Sequence, residues 1–269
     1  MTDQDPQLAA AAGTRARIDT DRPHSARLWN YFVGGRDHYE VDREIGDHIK
    51  EIFPGLVDVA RTSRHFLGRA VRHLAGEQGI RQFLDVGTGL PTADNTHEMA
   101  QRVAPGARIV YVDNDPLVLA HARALLPSTP EGRTAYVDVD LYEPETLLEA
   151  AANTLDLSRP VALMILNTLG HVADHDRARD LVVRLMSGLP SGSYLVISDS
   201  TATSAGMIAA TEAYNSSGAV PYHVRGVDEI SGFFQGLDLV EPGVVQVTQW
   251  RPDSAVSVVD AYCGVGRKP

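Results

Sequence analysis

The sequence predicts an α/β protein built on a doubly wound, mostly parallel sheet. Three observations carry this expectation. Short apolar runs at 83–86, 109–112, 134–139, 161–166 and 194–197 alternate with segments of helical period. Each run closes on or beside a polar residue: Asp85, Asp113, Asp140, Asn167 and Asp199. Past residue 236 the pattern becomes strand runs alone, at 237–240, 244–247 and 256–265, with no room for a helix between the last two. Alternation of strand and helix implies parallel strands joined by right-handed crossovers. The polar residues then fall along the carboxyl edge of the sheet, where such folds bind ligands. The final runs predict an antiparallel hairpin closing one side.

Taken in order, residues 1–22 are small, polar and aperiodic, which predicts a flexible tail. Residues 23–79 predict an N-terminal helical extension. Within it an apolar and aromatic helix, Ala26 to Val33, meets a turn at Gly34-Gly35. A second helix carries Val41, Ile45 and Ile49 at four-residue spacing. Tyr31, Arg36, Asp37, His38 and Tyr39 crowd this one turn, more than packing requires, so the hairpin is a candidate lid. A long helix follows from Leu56, striped by Ala60, Ser63, Leu67, Ala70, Val71 and Leu74 and ended by Gly76 and Gly79. Its arginines lie mostly off the stripe, and Arg61 or Arg64 is placed to meet a carboxylate.

Residues 80–269 predict the main domain. The first strand runs into Asp85-Val86-Gly87-Thr88-Gly89-Leu90-Pro91-Thr92. Gly87 and Gly89 permit a sharp turn and close ligand approach. A helix expected to start near Thr92 or Ala93 would turn its positive end toward the loop. The second strand ends at Asp113-Asn114, with Asp115 as N-cap and Pro116 at the first helical position. That helix carries Leu117, Leu119, Ala120, Ala124 and Leu125 and breaks at Pro127. The third strand leads into Asp140-Leu141 and a helix over 144–153. The fourth is a continuous apolar run, as expected of a strand buried on both faces. Asn167-Thr168-Leu169-Gly170-His171 leaves its end, and Asp174 caps the next helix.

Bulk properties narrow the function classes. The chain has 269 residues, a formal net charge of -11 and one cysteine, Cys263. An acidic balance argues against a nucleic-acid or anionic-membrane partner. A single cysteine rules out an internal disulfide and a cysteine-rich zinc site. No apolar run reaches the length of a membrane span and residues 1–26 lack the apolar core of a secretion signal, so a cytoplasmic location is expected. His97, His171 and His175 show no tight ligand spacing, so no metal site is expected.

The strand ends discriminate between cofactors. A carboxylate at Asp113 can accept both hydroxyls of a ribose, as either NAD or S-adenosylmethionine requires. A dinucleotide fingerprint wants a third glycine where Thr92 stands. An acid at Asp85 gains nothing from a pyrophosphate but can meet the amine of S-adenosylmethionine. The terminal hairpin also suits the methyltransferase variant of the sheet.

The blocks Phe83 to Thr92 and Tyr111 to Pro116 resemble an S-adenosylmethionine-dependent methyltransferase family of actinobacteria, formerly a domain of unknown function. So do Tyr31 to Asp37, Arg64 to Arg72, Leu169 to Val172, Gly192 to Leu195 and Gly264 to Pro269. The resemblance covers nearly the whole chain past the tail. It implies a seven-stranded Rossmann-like methyltransferase fold, S-adenosyl-L-methionine as cofactor and no particular substrate. Cofactor contacts are then expected from Asp85, Gly87, Thr88, Gly89, Asp113, Asn114, Asp140, Leu141 and Asn167, with Tyr31 and Gly35 from the extension. Pro91 departs from the glycine often found there in other methyltransferases.

Methyl transfer needs the nucleophile held in line, and a base only when the acceptor is protonated. His171 is the expected candidate base; His38, Tyr31 and Tyr39 are weaker candidates for acceptor contact. A small-molecule acceptor is the first expectation. A non-catalytic protein that binds or senses S-adenosylmethionine, and an NAD-dependent oxidoreductase, stand as alternatives.

Overall fold

A computed structural model describes residues 19–92, 94–119, 128–253 and 255–269. In chain order it contains helices α1 (Ser25–Phe32), α2 (Glu40–Ile52) and α3 (Leu56–Gly76), then strand β1 (Gln82–Val86) and α4 (Thr96–Val103). Next come β2 (Arg108–Asp113), β3 (Arg133–Asp138), α5 (Pro144–Ala151), β4 (Ala162–Leu166), α6 (His175–Ser187) and β5 (Tyr194–Ser200). The remainder is α7 (Ala205–Ser216), α8 (Val227–Gly232), β6 (Asp238–Leu239), β7 (Val245–Gln246) and β8 (Ala261–Arg267). The expected tail falls largely outside the described residues, as do Ala93 and the Ala120, Ala124 and Leu125 positions of the helix after β2. Residues 116–119 are helical.

The sheet order is β3-β2-β1-β4-β5-β8-β6, with β7 also on β8. Strands β1 to β5 are parallel neighbours in matched register, Val86 beside both Val112 and Ile165, and Asp113 beside Asp138. Their carboxyl ends therefore share one edge. The period of two in each strand divides the core. Phe83, Ile109, Met164, Val196 and Val265 face α3 and α4, with Phe66, Leu67, Ala70 and Leu74 packed against them. Leu84, Val110, Val112, Leu163, Ile165 and Ile197 face α5 and α6, against Leu147, Leu181 and Leu185. Burial on both faces explains why these strands read as unbroken apolar runs.

The C-terminal antiparallel strands are present, and their order is sharper than a terminal hairpin. β8 lies inside, antiparallel to β5 on one side, with Tyr194 beside Arg267 and Ser198 beside Cys263. On its other side β6 and β7 line up end to end: Asp238 sits beside Arg267, and Val245 beside Cys263. The eight strands thus occupy seven positions.

At the carboxyl edge α1 and α2 pack on α3 and α7 through Leu28, Phe32, Ile49, Ala60 and Ala210. Buried Asp42 joins the first two helices. Its carboxylate meets the Arg27 Nε at 2.8 Å and accepts the backbone N–H groups of His24 (3.0 Å) and Tyr39 (2.9 Å). His24 also contacts Asp115 at 3.0 Å, tying the start of α1 to the segment after β2.

Candidate cofactor and acceptor site

The loop after β1 is shaped by its two glycines. Gly87 has φ +72 and Gly89 φ +67, a region that side-chain-bearing residues rarely adopt. A Cβ on Gly87 would also stand 2.1 Å from the Thr168 Oγ1, so only glycine lets the loop close against the end of β4. The Gly87 N–H donates to the Val112 carbonyl at 2.8 Å, and the Thr88 hydroxyl donates to the Asp85 carbonyl at 3.1 Å. The Gly89 N–H donates to the Asp113 carboxylate at 2.9 Å, as does the Asp115 N–H. Asp113 therefore holds the loop from the neighbouring strand.

The helix expected near Thr92 begins instead at Thr96. Asn95 stands at its N-cap and its N–H donates to the Glu98 side chain at 2.7 Å, half of a capping box. The delay places the Thr96 hydroxyl on Asp85, to which it donates at 2.6 Å. Burial pushes the Asp85 carboxyl up to about 6, against the lowering influence of Thr96 and the Arg64 guanidinium. Arg64 projects from α3 into the same cavity and donates to the Asp94 carbonyl at 3.1 Å, whereas Arg61 is exposed. Burial also raises Asp113, opposed by its two backbone donors. At the next strand Asn114 donates to Asp140 at 2.9 Å, and the Tyr142 N–H donates to the other Asp140 oxygen at 2.9 Å.

The ends of β4 and β5 form the far wall. Asn167 has φ +53 and donates its N–H to the Ser198 carbonyl at 2.7 Å, while its Oδ1 is buried without a hydrogen-bond partner. His171 contacts the Pro221 carbonyl through Nδ1 at 3.0 Å and meets the Tyr222 ring edge-on, with centroids 5.1 Å apart. A carbonyl only accepts, so Nδ1 carries the proton and Nε2 keeps its lone pair. Burial lowers the His171 pKa, which favours the neutral ring.

These groups line one cavity of about 370 Å³, within the range of small-molecule sites. Asp85, Gly87, Thr88, Gly89, Asp113, Asn114, Asp140, Leu141, Asn167 and His171 all face it. Tyr31 and Gly35 are not among its lining residues. The Tyr31 hydroxyl is taken by Asp47 and Lys50 of α2, and a Cβ on Gly35 would stand 2.3 Å from the Asn30 side chain, so both serve the helical turn. Tyr39 and His38 also lie off the cavity: Arg27 stacks on the Tyr39 ring at 5.0 Å, and His38 packs edge-on against Tyr31. Asp199 reaches the same edge but lies beneath Tyr222, and Ser200 lines the cavity in its place. Trp29, Tyr214 and Tyr222 line it too, and none of them was expected from the sequence to be a site residue. Their signal was faint: Trp29 and Tyr214 sit in helical segments where an aromatic reads as core packing, and Tyr222 stands alone in a loop.

The site suits S-adenosylmethionine. Burial holds two carboxyls, buried Asp85 and half-buried Asp113, at raised pKa, so a positive amine or hydroxyl donors brought by a ligand would favour their anions. The two glycines leave the loop bare for close approach, and the Asn167 oxygen is an unfilled acceptor in the wall.

The sequence profile of a family described as S-adenosyl methyltransferase matches residues 11–269. A DUF574 family protein from Streptomyces avermitilis is 48% identical, with 94% of this chain and 100% of that chain covered and a TM-score of 0.90. A candidate methyltransferase from Thermobifida fusca is 38% identical over 93% of this chain and 97% of that one, with a TM-score of 0.86. The carboxy-S-adenosyl-L-methionine synthase of Trichlorobacter lovleyi is 26% identical over 170 residues, 62% of this chain, and the match spans only 65% of that protein. The profile match over residues 11–269 shows that the chain belongs to the S-adenosyl methyltransferase family, with similar proteins in Streptomyces and Thermobifida.

Proposed function

We propose that the protein moves the methyl group of S-adenosylmethionine to a small-molecule acceptor held in the same cavity. The observation that carries this reading is the convergence of the strand-end residues of β1 to β4 on one cavity that continues past them into an apolar chamber. Asp113 is placed to take the ribose hydroxyls. Asp140 and the backbone at Leu141 are placed for the amine and ring nitrogen of adenine. Asp85 and Arg64 offer an anion and a cation side by side, the complement of an α-amino acid. Gly87, Thr88 and Gly89 let backbone approach, Asn114 steadies Asp140, and the free Asn167 oxygen accepts one further donor.

The cofactor supplies an electrophilic methyl group already attached to a good leaving group. The protein's task is to align the acceptor and, where that acceptor is an alcohol, to receive its proton. His171 fits that second role through Nε2, which is unprotonated in the tautomer fixed by Pro221. We read 23–79 as an extension whose first two helices roof the cavity while α3 packs on the sheet.

Calorimetry with S-adenosylhomocysteine and with NAD tests the cofactor, and release of labelled methyl groups from S-adenosylmethionine in a metabolite extract tests transfer. Binding of S-adenosylhomocysteine, no binding of NAD and labelled product are expected. Tight NAD binding alone would overturn the reading. Cofactor binding with no label transferred to any metabolite would leave a binding protein in place of an enzyme.

A further inference from the structure

We propose that the far half of the cavity takes a neutral, apolar acceptor bearing one hydroxyl group, and that the Tyr222 phenol, held by Asp199, reads that hydroxyl. The inference rests on the methyltransferase reading and adds the acceptor's chemical class and the group that selects it.

The walls set the class. Trp29 and Phe32 of α1, Leu56 of α3, and Met207 and Tyr214 of α7 enclose this half. The ionisable residues among the described lining sort elsewhere. Asp85, Arg64, Asp113 and Asp140 stand at the glycine loop and strand ends. His24 is engaged with Asp115, and His171 is neutral by burial. A carboxylate or ammonium acceptor would be desolvated here without a counter-charge, a cost that a neutral apolar molecule does not meet.

Asn30, Ser63 and Thr211 add small polar groups to the lining, and Tyr222 is the one among the described lining residues whose hydroxyl is held by a buried carboxyl, fixed from every side. Its backbone N–H donates to the Asn215 side chain at 2.8 Å, and its carbonyl accepts from the same side chain at 2.9 Å. Its ring lies on Gly170, where a Cβ would stand 2.3 Å from the ring carbon bearing the hydroxyl. The neighbouring His223 N–H donates to the Gly170 carbonyl at 2.8 Å. The Tyr222 hydroxyl donates to Asp199, which is 1% exposed and also accepts the Ser200 N–H at 3.1 Å. Burial pushes the Asp199 carboxyl up to about 7; in its ionised form, above that pH, it takes the phenol proton and the phenol oxygen is left as an acceptor. It therefore selects a ligand that donates, an alcohol or phenol, over one that offers only a carbonyl.

The test uses the full chain saturated with S-adenosylhomocysteine and three probes of one shape: β-naphthol, naphthalene and β-naphthoate. Affinities are read by calorimetry and by Trp29 fluorescence. β-Naphthol is expected to bind most tightly. Tyr222→Phe, which keeps the ring on Gly170, is expected to lower β-naphthol affinity about tenfold, one hydrogen bond's worth. It should leave naphthalene and S-adenosylhomocysteine affinities unchanged while the thermal midpoint falls with loss of the bond to Asp199; a merely structural role would lower the affinities of all three ligands alike. Tightest binding of β-naphthoate, no binding of any probe to the cofactor-loaded protein, or an unchanged β-naphthol affinity in Tyr222→Phe would each overturn the inference alone. Failure of S-adenosylhomocysteine to bind would instead remove the methyltransferase reading on which it stands.

Discussion

Asp85 makes the affinity for an amino-acid-bearing ligand depend on pH in a way that can be worked out in advance. Its carboxyl is raised from 3.8 to about 6, because burial penalises the anion more than Thr96 and Arg64 favour it. An ammonium group binds the ionised form. At pH 7 roughly nine-tenths of the free protein carries that form, and at pH 5 roughly one-tenth, so affinity for S-adenosylhomocysteine should fall roughly tenfold across this interval. The sign for stability runs the other way in the free protein. An acid with raised folded pKa keeps a proton that the unfolded chain has already released, so its contribution to stability is lost as pH rises from about 4 to about 6. The thermal shift produced by S-adenosylhomocysteine should therefore grow over the same range. Calorimetry at steps between pH 5 and pH 7 reads the affinity. Adenosine, which carries the ribose and base but no amino acid, is the control for Asp113, and its affinity should change little. Asp85→Asn should flatten the profile at the low-affinity level. An equal slope for adenosine, or a full slope retained in Asp85→Asn, would refute the reasoning.

Three further outcomes follow from the same geometry. Gly87→Ala meets both a left-handed backbone and the Thr168 side chain, and should cost on the order of 2–3 kcal/mol in denaturant unfolding. Asp113→Ala removes the ribose acceptor together with the partner of the Gly89 and Asp115 N–H groups; adenosine affinity should drop on the order of 10-fold to 100-fold with the circular dichroism spectrum unchanged. Asp42→Ala leaves Arg27 buried without its carboxylate, so α1 and α2 should loosen by about 3–5 kcal/mol, read as early cleavage of residues 23–52 in limited proteolysis.

The sheet and much of the site were legible because both depend on local patterns. Apolar runs with polar ends mark strands buried on both faces, and parallel register brings Asp85, Asp113, Asp140 and Asn167 to one edge without further information. Pairing order among the last strands was not legible. The runs at 237–240 and 244–247 read as separate strands, yet share one side of β8, which depends on contacts no local period encodes. The start of α4 shifted because Asn95 and Glu98 cap it. The place of Tyr31 was hidden for a similar reason: aromatic density around a glycine turn suggests ligand contact, but its hydroxyl meets Asp47 and Lys50, a full helix further on. Tyr222 gave little sign, since its importance comes from Gly170, Asn215 and Asp199, which only the folded chain assembles around it. Gly170 beside His171, just past a strand end, was the one hint of a close approach there.

The inserted position of β8 has a consequence for biosynthesis. Strands β1 to β5 can pair as each emerges from the ribosome, but the open edge of β5 finds its neighbour only when residues 261–267 have been made. Until then a strand that is buried throughout in the finished fold offers unpaired backbone groups to any passing chain. A nascent chain stalled before Ala261 should therefore be a favoured client of chaperones and a source of aggregates, while a few residues more would complete the sheet and close that edge.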